Sequence, residues 1–135
     1  MEVSLTEFAL VMLGGGLGSM ARAALSGVLI RQMPAAAAVF IINATGSLMI
    51  GLALGAALGA ISLLNSAEVP LGFTYFAVGL MGGFTTVSTF ALQVQELWHA
   101  GKRLGAIATA LGSTLICPAL AALGVFLVML VRGLV

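Results

Sequence analysis

Residues 82–90 read Gly-Gly-Phe-Thr-Thr-Val-Ser-Thr-Phe and interrupt an otherwise apolar part of the chain. Two adjacent glycines weaken a helix at this point, and four hydroxyl side chains follow them directly. In the hydrocarbon of a membrane, a broken backbone is tolerated only where it is buried in protein or lines a polar cavity. The stretch therefore predicts a break in a membrane helix, at a place where the protein meets something polar.

The composition around this stretch indicates an integral membrane protein. The chain has 135 residues, of which 61% are hydrophobic and 7% charged, and its mean hydropathy is +1.24. A small globular domain buries only about two thirds of the surface that its unfolded chain exposes, so it cannot hide this much apolar surface. The net charge of +1 provides no basic surface for nucleic acid, which we therefore exclude as a partner.

The hydropathy pattern predicts an all-α membrane protein with one four-helix transmembrane domain over residues 1–135. The uncharged runs 32–67, 69–95 and 104–131 are each longer than the roughly 20 residues that a helix needs to cross a bilayer, and only Arg22 interrupts the apolar run before them. Turn signals around Pro34 and Pro70 separate the runs, and the short loops make successive helices antiparallel neighbours. The predicted helices cover residues 5–30, 35–64, 71–99 and 102–132, and the third is broken near its middle.

Glycines recur at four-residue spacing in the first two helices. Gly14 and Gly18 share one face of the first helix, and Gly51, Gly55 and Gly59 share one face of the second. Such faces let helix backbones approach closely in lipid. They are equally consistent with packing inside one chain and with a dimer interface. A four-helix chain is too small to enclose a polar path alone, which favours a dimer.

The polar side chains inside the spans are candidate hydrogen-bond donors. Asn43 and Ser47 lie one turn apart on the same helix face. Thr109, Ser113 and Cys117 are spaced at four residues in the fourth helix and form a polar stripe. For Thr109 and Thr114, a hydrogen bond to the helix's own carbonyl four residues back is an equally good explanation.

The broken stretch resembles the Gly-Gly-x-Thr-Thr-Phe-Ser-Thr-Phe signature of the small bacterial fluoride channels, the Fluc or CrcB family. The glycines at 14, 15 and 18 with Arg22, the Ile42-Asn43-x-x-Gly46-Ser47 motif, and the number of spans add to the likeness. The resemblance covers essentially the whole chain.

The resemblance implies a passive channel that exports cytoplasmic fluoride and gives fluoride resistance, not an enzyme. It also implies a multi-pass protein of the bacterial cell (inner) membrane. Two antiparallel copies would form a homodimer with two pores and a central structural sodium ion. The backbone carbonyls of Gly82 and Thr85 would hold the sodium, and released carbonyl oxygens are hard ligands that suit an alkali cation.

The resemblance further implies which residues meet the anion. An intramembrane arginine must snorkel, pair or face water, and the family places Arg22 near an aqueous vestibule. The residues implied to line the fluoride pore are Asn43, Ser47, Thr86, Val87, Ser88, Thr89, Phe90 and Ser113.

Val87 departs from the family pattern. Relatives carry phenylalanine at this position and at Phe90, and the positively polarised edge of each ring can face an anion. Valine offers no such edge. The chain is therefore either a homodimeric channel, a subunit of a heterodimer with a paralogue that supplies the missing ring, or a non-conducting partner subunit.

Two other functional classes fit the sequence less well. A small proton-coupled drug exporter needs a carboxylate inside the membrane, and all four acidic residues lie near the ends of spans. A membrane enzyme would need a catalytic constellation, and the single histidine lies at an interface without a Gly-x-Ser-x-Gly or His-Glu-x-x-His motif.

Overall fold

A computed structural model describes residues 4–64 and 70–133 of the protein. In these residues there are four helical stretches long and apolar enough to cross a membrane, and there is no strand. The four predicted spans and the interruption of the third are thereby confirmed. The helices are α1 (Leu5–Leu29), α2 (Ala35–Leu64), α3 (Leu71–Phe73), a π-helix (Thr74–Met81), α4 (Gly82–Phe84), α5 (Val87–His99) and α6 (Arg103–Val131).

Local sequence signals account for the ends of the first two helices. Ser4 and Glu7 form a capping box at the start of α1, in which each side chain accepts a hydrogen bond from the other residue's backbone N–H. Pro34 precedes α2, and its carbonyl accepts hydrogen bonds from the N–H groups of Ala37 and Ala38 at 2.9 and 3.1 Å. Proline suits this position because its missing N–H would have no partner there.

The third span is less regular than the sequence predicts. Its first half is mostly π-helix, in which each turn closes on the fifth residue instead of the fourth. The N–H of Gly82 still reaches back to the Ala77 carbonyl in this way. The span then breaks at Thr85 and Thr86, midway along its length, and resumes as α5.

The small-residue faces are used inside the chain. α1 packs on the π-helix and α4, and α2 packs on α6. A methyl group added at Gly18 would collide with the Leu80 carbonyl, and one added at Gly51 would collide with the Ala121 carbonyl. Of the two alternatives that the sequence leaves open for these faces, the structure shows packing within one chain.

Replacing Gly18 by alanine should lower the free energy of unfolding by about 1–3 kcal/mol, because overpacking forces the backbones apart. Gly16→Ala is the matched control in the same helix, since nothing lies within 4 Å of the added methyl group. It should be neutral or stabilising by up to about 1 kcal/mol, because alanine is the better helix former. Thermal unfolding in detergent measures both variants, and equal melting temperatures would contradict the expected packing.

Candidate functional site

The break in the third span is formed by two consecutive residues in extended conformation. Thr85 has φ −81° and ψ 156°, and Thr86 has φ −148° and ψ 125°. A helix end leaves its last carbonyls without helical donors, and a helix start leaves its first N–H groups without helical acceptors. The end of α4 and the start of α5 therefore bring both kinds of group to one point in the middle of the span.

Asn43 on α2 binds the backbone of Thr86 with both ends of its side-chain amide. Its Nδ2 donates to the Thr86 carbonyl at 2.9 Å, and its Oδ1 accepts from the Thr86 N–H at 2.8 Å. Gly46 lies one turn further along the same helix. A side chain there would collide with the Thr85 methyl group, so the glycine allows α2 to approach the break.

Two side chains of α1 bind the other side of the break. Ser19 Oγ donates to the Gly83 carbonyl at 3.3 Å, and Arg22 Nε donates to the same oxygen at 3.4 Å. A charged side chain inside a membrane needs a partner, and Arg22 has one in a carbonyl at the end of α4. Its role in a vestibule stays a prediction.

The hydroxyl groups of the break bind the backbone and one another. Thr85 Oγ1 donates to the Met81 carbonyl at 3.1 Å. Thr86 Oγ1 accepts from the Thr89 N–H at 3.2 Å and so caps the start of α5. The hydroxyls of Ser88 and Thr89 lie 3.2 and 3.1 Å from the same Thr86 oxygen. The cluster stabilises the first turn of α5.

These contacts divert two N–H groups from the carbonyls that an unbroken helix would offer them. The Thr86 N–H would bind the Gly82 carbonyl but binds Asn43 instead. The Thr89 N–H would bind the Thr85 carbonyl but binds the Thr86 hydroxyl instead. The Gly82 and Thr85 carbonyls thus lose their helical donors, and these are the two that the resemblance implies for sodium.

An open cavity of about 630 Å³ lies beside the break. Ser113 of α6 lines it and is only 8% exposed, and its hydroxyl has no hydrogen-bond partner among the described residues. Thr114, the next residue, donates its hydroxyl to its own helix at the Ala110 carbonyl, at 2.8 Å. A buried polar group without a partner is rare and points to a ligand or water. Ser113 is therefore a candidate donor at this wall.

The cavity brings together most of the residues predicted to line a pore. Ser88 and Thr89 are not among its lining residues, but their hydroxyls contact that of Thr86, which is. Arg22 contacts the break from α1. Thr109 lines a different cavity, so the predicted stripe on α6 is divided between two surfaces. The lining residues of the larger cavity are Asn43, Ser47, Ile50, Gly82, Thr85, Thr86, Val87, Phe90, Ser113, Thr114, Cys117 and Pro118.

Sequence reasoning missed Ser19. It lies three residues before Arg22, so the two side chains share a face of α1. That spacing is the one signal that could have paired them, because the acceptor they share is a backbone carbonyl and leaves no trace in the sequence.

The break is open to the outside of the single chain. Gly82 and Ser88 are exposed, and Val87 is 79% exposed at the start of α5. All three lie near the middle of the span, at the depth where lipid would otherwise surround the helix.

The chain matches the family described as CrcB-like protein, Camphor Resistance (CrcB) over residues 9–125. It is 37% identical to fluoride-specific ion channel FluC 3 of Brucella suis biovar 1, over 80% of each chain. It is 35% identical to fluoride-specific ion channel FluC of Methylobacterium radiotolerans, over 90% of this chain and 84% of that one. The FluC channel of Francisella philomiragia is 35% identical over 89% of this chain and 92% of its own. With four apolar spans and these relatives, the protein is a multi-pass membrane protein that belongs to the CrcB family.

Proposed function

We propose that this chain forms a passive, fluoride-selective channel that lets cytoplasmic fluoride leave a bacterial cell across its inner membrane. Relatives that align over most of the chain are named fluoride-specific ion channels. The observation that carries the proposal is Ser113, which lines the cavity at the start of α5 and whose buried hydroxyl has no hydrogen-bond partner among the described residues.

The donors around this cavity suit a small anion. Fluoride holds its hydration water tightly, so a selective path must replace that water with aimed donors. The hydroxyl of Ser113 is one such donor, and the first N–H groups of α5, at Val87 and Ser88, are without helical acceptors. The positive end of the α5 dipole lies at these same N–H groups, at the start of the helix. Phe90 lines the same cavity, where a ring edge can face the ion.

The active unit in this proposal is a dimer of two antiparallel copies. Gly82, Val87 and Ser88 are exposed at mid-span, and a broken backbone is not tolerated against lipid. A second copy that covers this face would remove the exposure and complete the wall of the cavity. The glycine faces are already occupied inside the chain, so the dimer contact would use other surfaces.

A sodium ion at the centre of the dimer is a further part of the proposal. The Gly82 and Thr85 carbonyls would hold it, since both have lost their helical donors. Carbonyl oxygens are hard ligands that match an alkali cation. When bound, the ion would supply positive charge to carbonyls whose burial without a partner is otherwise costly.

A heterodimer is the second candidate, and the position of Val87 favours it. Val87 lies on the cavity wall at the start of α5 and presents only methyl groups there. In a homodimer both pores would lack the first of the two aromatic rings that the family pattern provides. A paralogue with both phenylalanines would restore one pore. In the extreme case this chain would be a partner subunit that conducts no fluoride itself.

Val87→Phe should raise fluoride efflux from liposomes that contain only this chain. One aromatic contact contributes about 0.5–1.5 kcal/mol, which corresponds to roughly a twofold to tenfold faster flux. Val87→Leu is the matched control, because it adds apolar volume without a ring. Equal flux in the two variants would contradict the aromatic role, and brisk flux from the unmodified chain would remove the need for a paralogue.

Ser113→Ala should reduce fluoride flux without reducing stability. A hydrogen bond to a charged group is worth about 1.5–3 kcal/mol, so the flux should fall by about tenfold to a hundredfold. The melting temperature should stay the same or rise slightly, because the substitution removes a buried hydroxyl for which the described part of the chain offers no partner.

Thr114→Val is the control for this substitution, since its hydroxyl already binds its own helix. It should leave the flux close to that of the unmodified protein. Liposome efflux and thermal unfolding measure both variants. A donor role would be contradicted if Ser113→Ala lowered the free energy of unfolding by as much as its flux loss corresponds to in free energy.

Replacing sodium by N-methyl-D-glucamine at constant ionic strength should lower the melting temperature of the detergent-solubilised dimer. A ligand at about one hundred times its dissociation constant stabilises the folded state by about 2.7 kcal/mol. Lithium or potassium at the same concentration tests whether the site selects for size. Identical melting curves in sodium and in N-methyl-D-glucamine would contradict the sodium site.

A further inference from the structure

Asn43 already has partners for both polar ends of its side chain. Its two bonds to Thr86, at 2.9 and 2.8 Å, are shorter than the 3.3 and 3.4 Å bonds that Ser19 and Arg22 make to Gly83. The Asn43 Nδ2 has two N–H groups, and one of them is held against a backbone carbonyl. The bonds to Thr86 thus engage the amide oxygen and one of its two donors, which indicates that holding the backbone is the main task of this side chain.

The geometry matches that of a hydrogen-bonded pair in an antiparallel sheet. An extended residue presents its N–H and C=O on the same side, where a neighbouring strand exchanges two hydrogen bonds with it. Thr86 is extended, and the planar amide of Asn43 takes the place of the neighbouring strand. A helical residue points these two groups in opposite directions along the helix axis. The pair of bonds therefore fits only the broken conformation.

We propose that Asn43 is a positioning residue, whose amide holds Thr86 extended and thereby keeps the third span broken. This inference rests on the proposed channel function. Thr86 is the N-cap of α5, so holding its backbone also fixes the first turn of that helix and the direction of its free N–H groups.

The loss of Asn43 would close the break. Without Asn43, the Thr86 N–H is free to return to the Gly82 carbonyl and continue the helix through the break. One substitution would then give helical partners both to the released carbonyls and to the free N–H groups. α2 holds Asn43 in a fixed position, since the preceding residue, Ile42, is only 1% exposed. Gly46 lets the same helix approach the break closely.

An amide-to-ester replacement at residue 86 tests the inference directly. Incorporating the α-hydroxy analogue of threonine removes the Thr86 N–H and leaves both side chains in place. We expect fluoride flux about tenfold lower, the factor typical of one lost buried hydrogen bond. In an Asn43→Ala background the ester should add little, because the two changes delete the same bond. An ester at Leu92, inside α5, is the matched control for losing one ordinary helical bond.

Two outcomes would overturn the inference. One is an ester channel that conducts like the unmodified protein while Asn43→Ala does not. The other is a pair of effects that multiply in the combined variant, as independent actions would. Both would make Asn43 a ligand of the anion and leave the channel function intact.

Amide hydrogen exchange supplies a readout that does not depend on flux. In Asn43→Ala the helix should continue through the break, so the Val87 and Ser88 amides gain helical acceptors and should exchange at least about tenfold more slowly. Asn43→Asp keeps an acceptor for the Thr86 N–H, so exchange at Val87 and Ser88 should stay close to that of the unmodified protein. Ser47→Ala, one turn along the same cavity wall, should leave the exchange rate unchanged.

Unchanged exchange at Val87 and Ser88 in Asn43→Ala would overturn the inference. A protein that carries no fluoride, alone or with a paralogue, would refute the proposed function, and the exchange experiment would still decide the role of Asn43.

Discussion

The two hydrogen bonds between the Asn43 amide and the Thr86 backbone are the interaction on which the broken span depends. In hydrocarbon, each unsatisfied backbone group costs several kcal/mol, so an apolar helix tends to close any gap. Asn43 offsets this tendency at Thr86, and Ser19 and Arg22 do so at Gly83. The gap is thus braced from two neighbouring helices of the same chain.

The packing of the third span explains why the braces come from different helices. Before the break, the π-helix and α4 pack mainly on α1, whereas after it α5 packs mainly on α6, and α2 contacts both halves. The main neighbour of the span changes from α1 to α6 at the two extended threonines. Each half is therefore held near its end by the helix beside it, and the released carbonyl and N–H groups lie where the neighbours change.

Length, hydropathy and paired glycines predict the spans and the break, because these signals act locally, whereas most residues of the cavity wall are those that the family resemblance implies. The sequence does not predict the partner of Asn43 or of Arg22, since both bind backbone atoms that any residue could supply. The division of the α6 stripe has a geometric reason. Residues spaced at four drift by about 40° per step around a helix of 3.6 residues per turn. Thr109 and Ser113 therefore need not face the same cavity, and they line different ones.

The π-helix at Thr74–Met81 sets the angular phase of everything that follows it in the third span. These wide turns hold about one residue more than an α-helix of the same number of turns. Removing one residue within them would let them relax towards α-helix while the Gly83 carbonyl stays directed at α1 and Thr86 stays directed at Asn43. In a regular α-helix the same deletion would rotate everything that follows by about 100° around the axis. The π-helix therefore makes this half of the third span tolerant of a shortening that would misalign an ordinary helix.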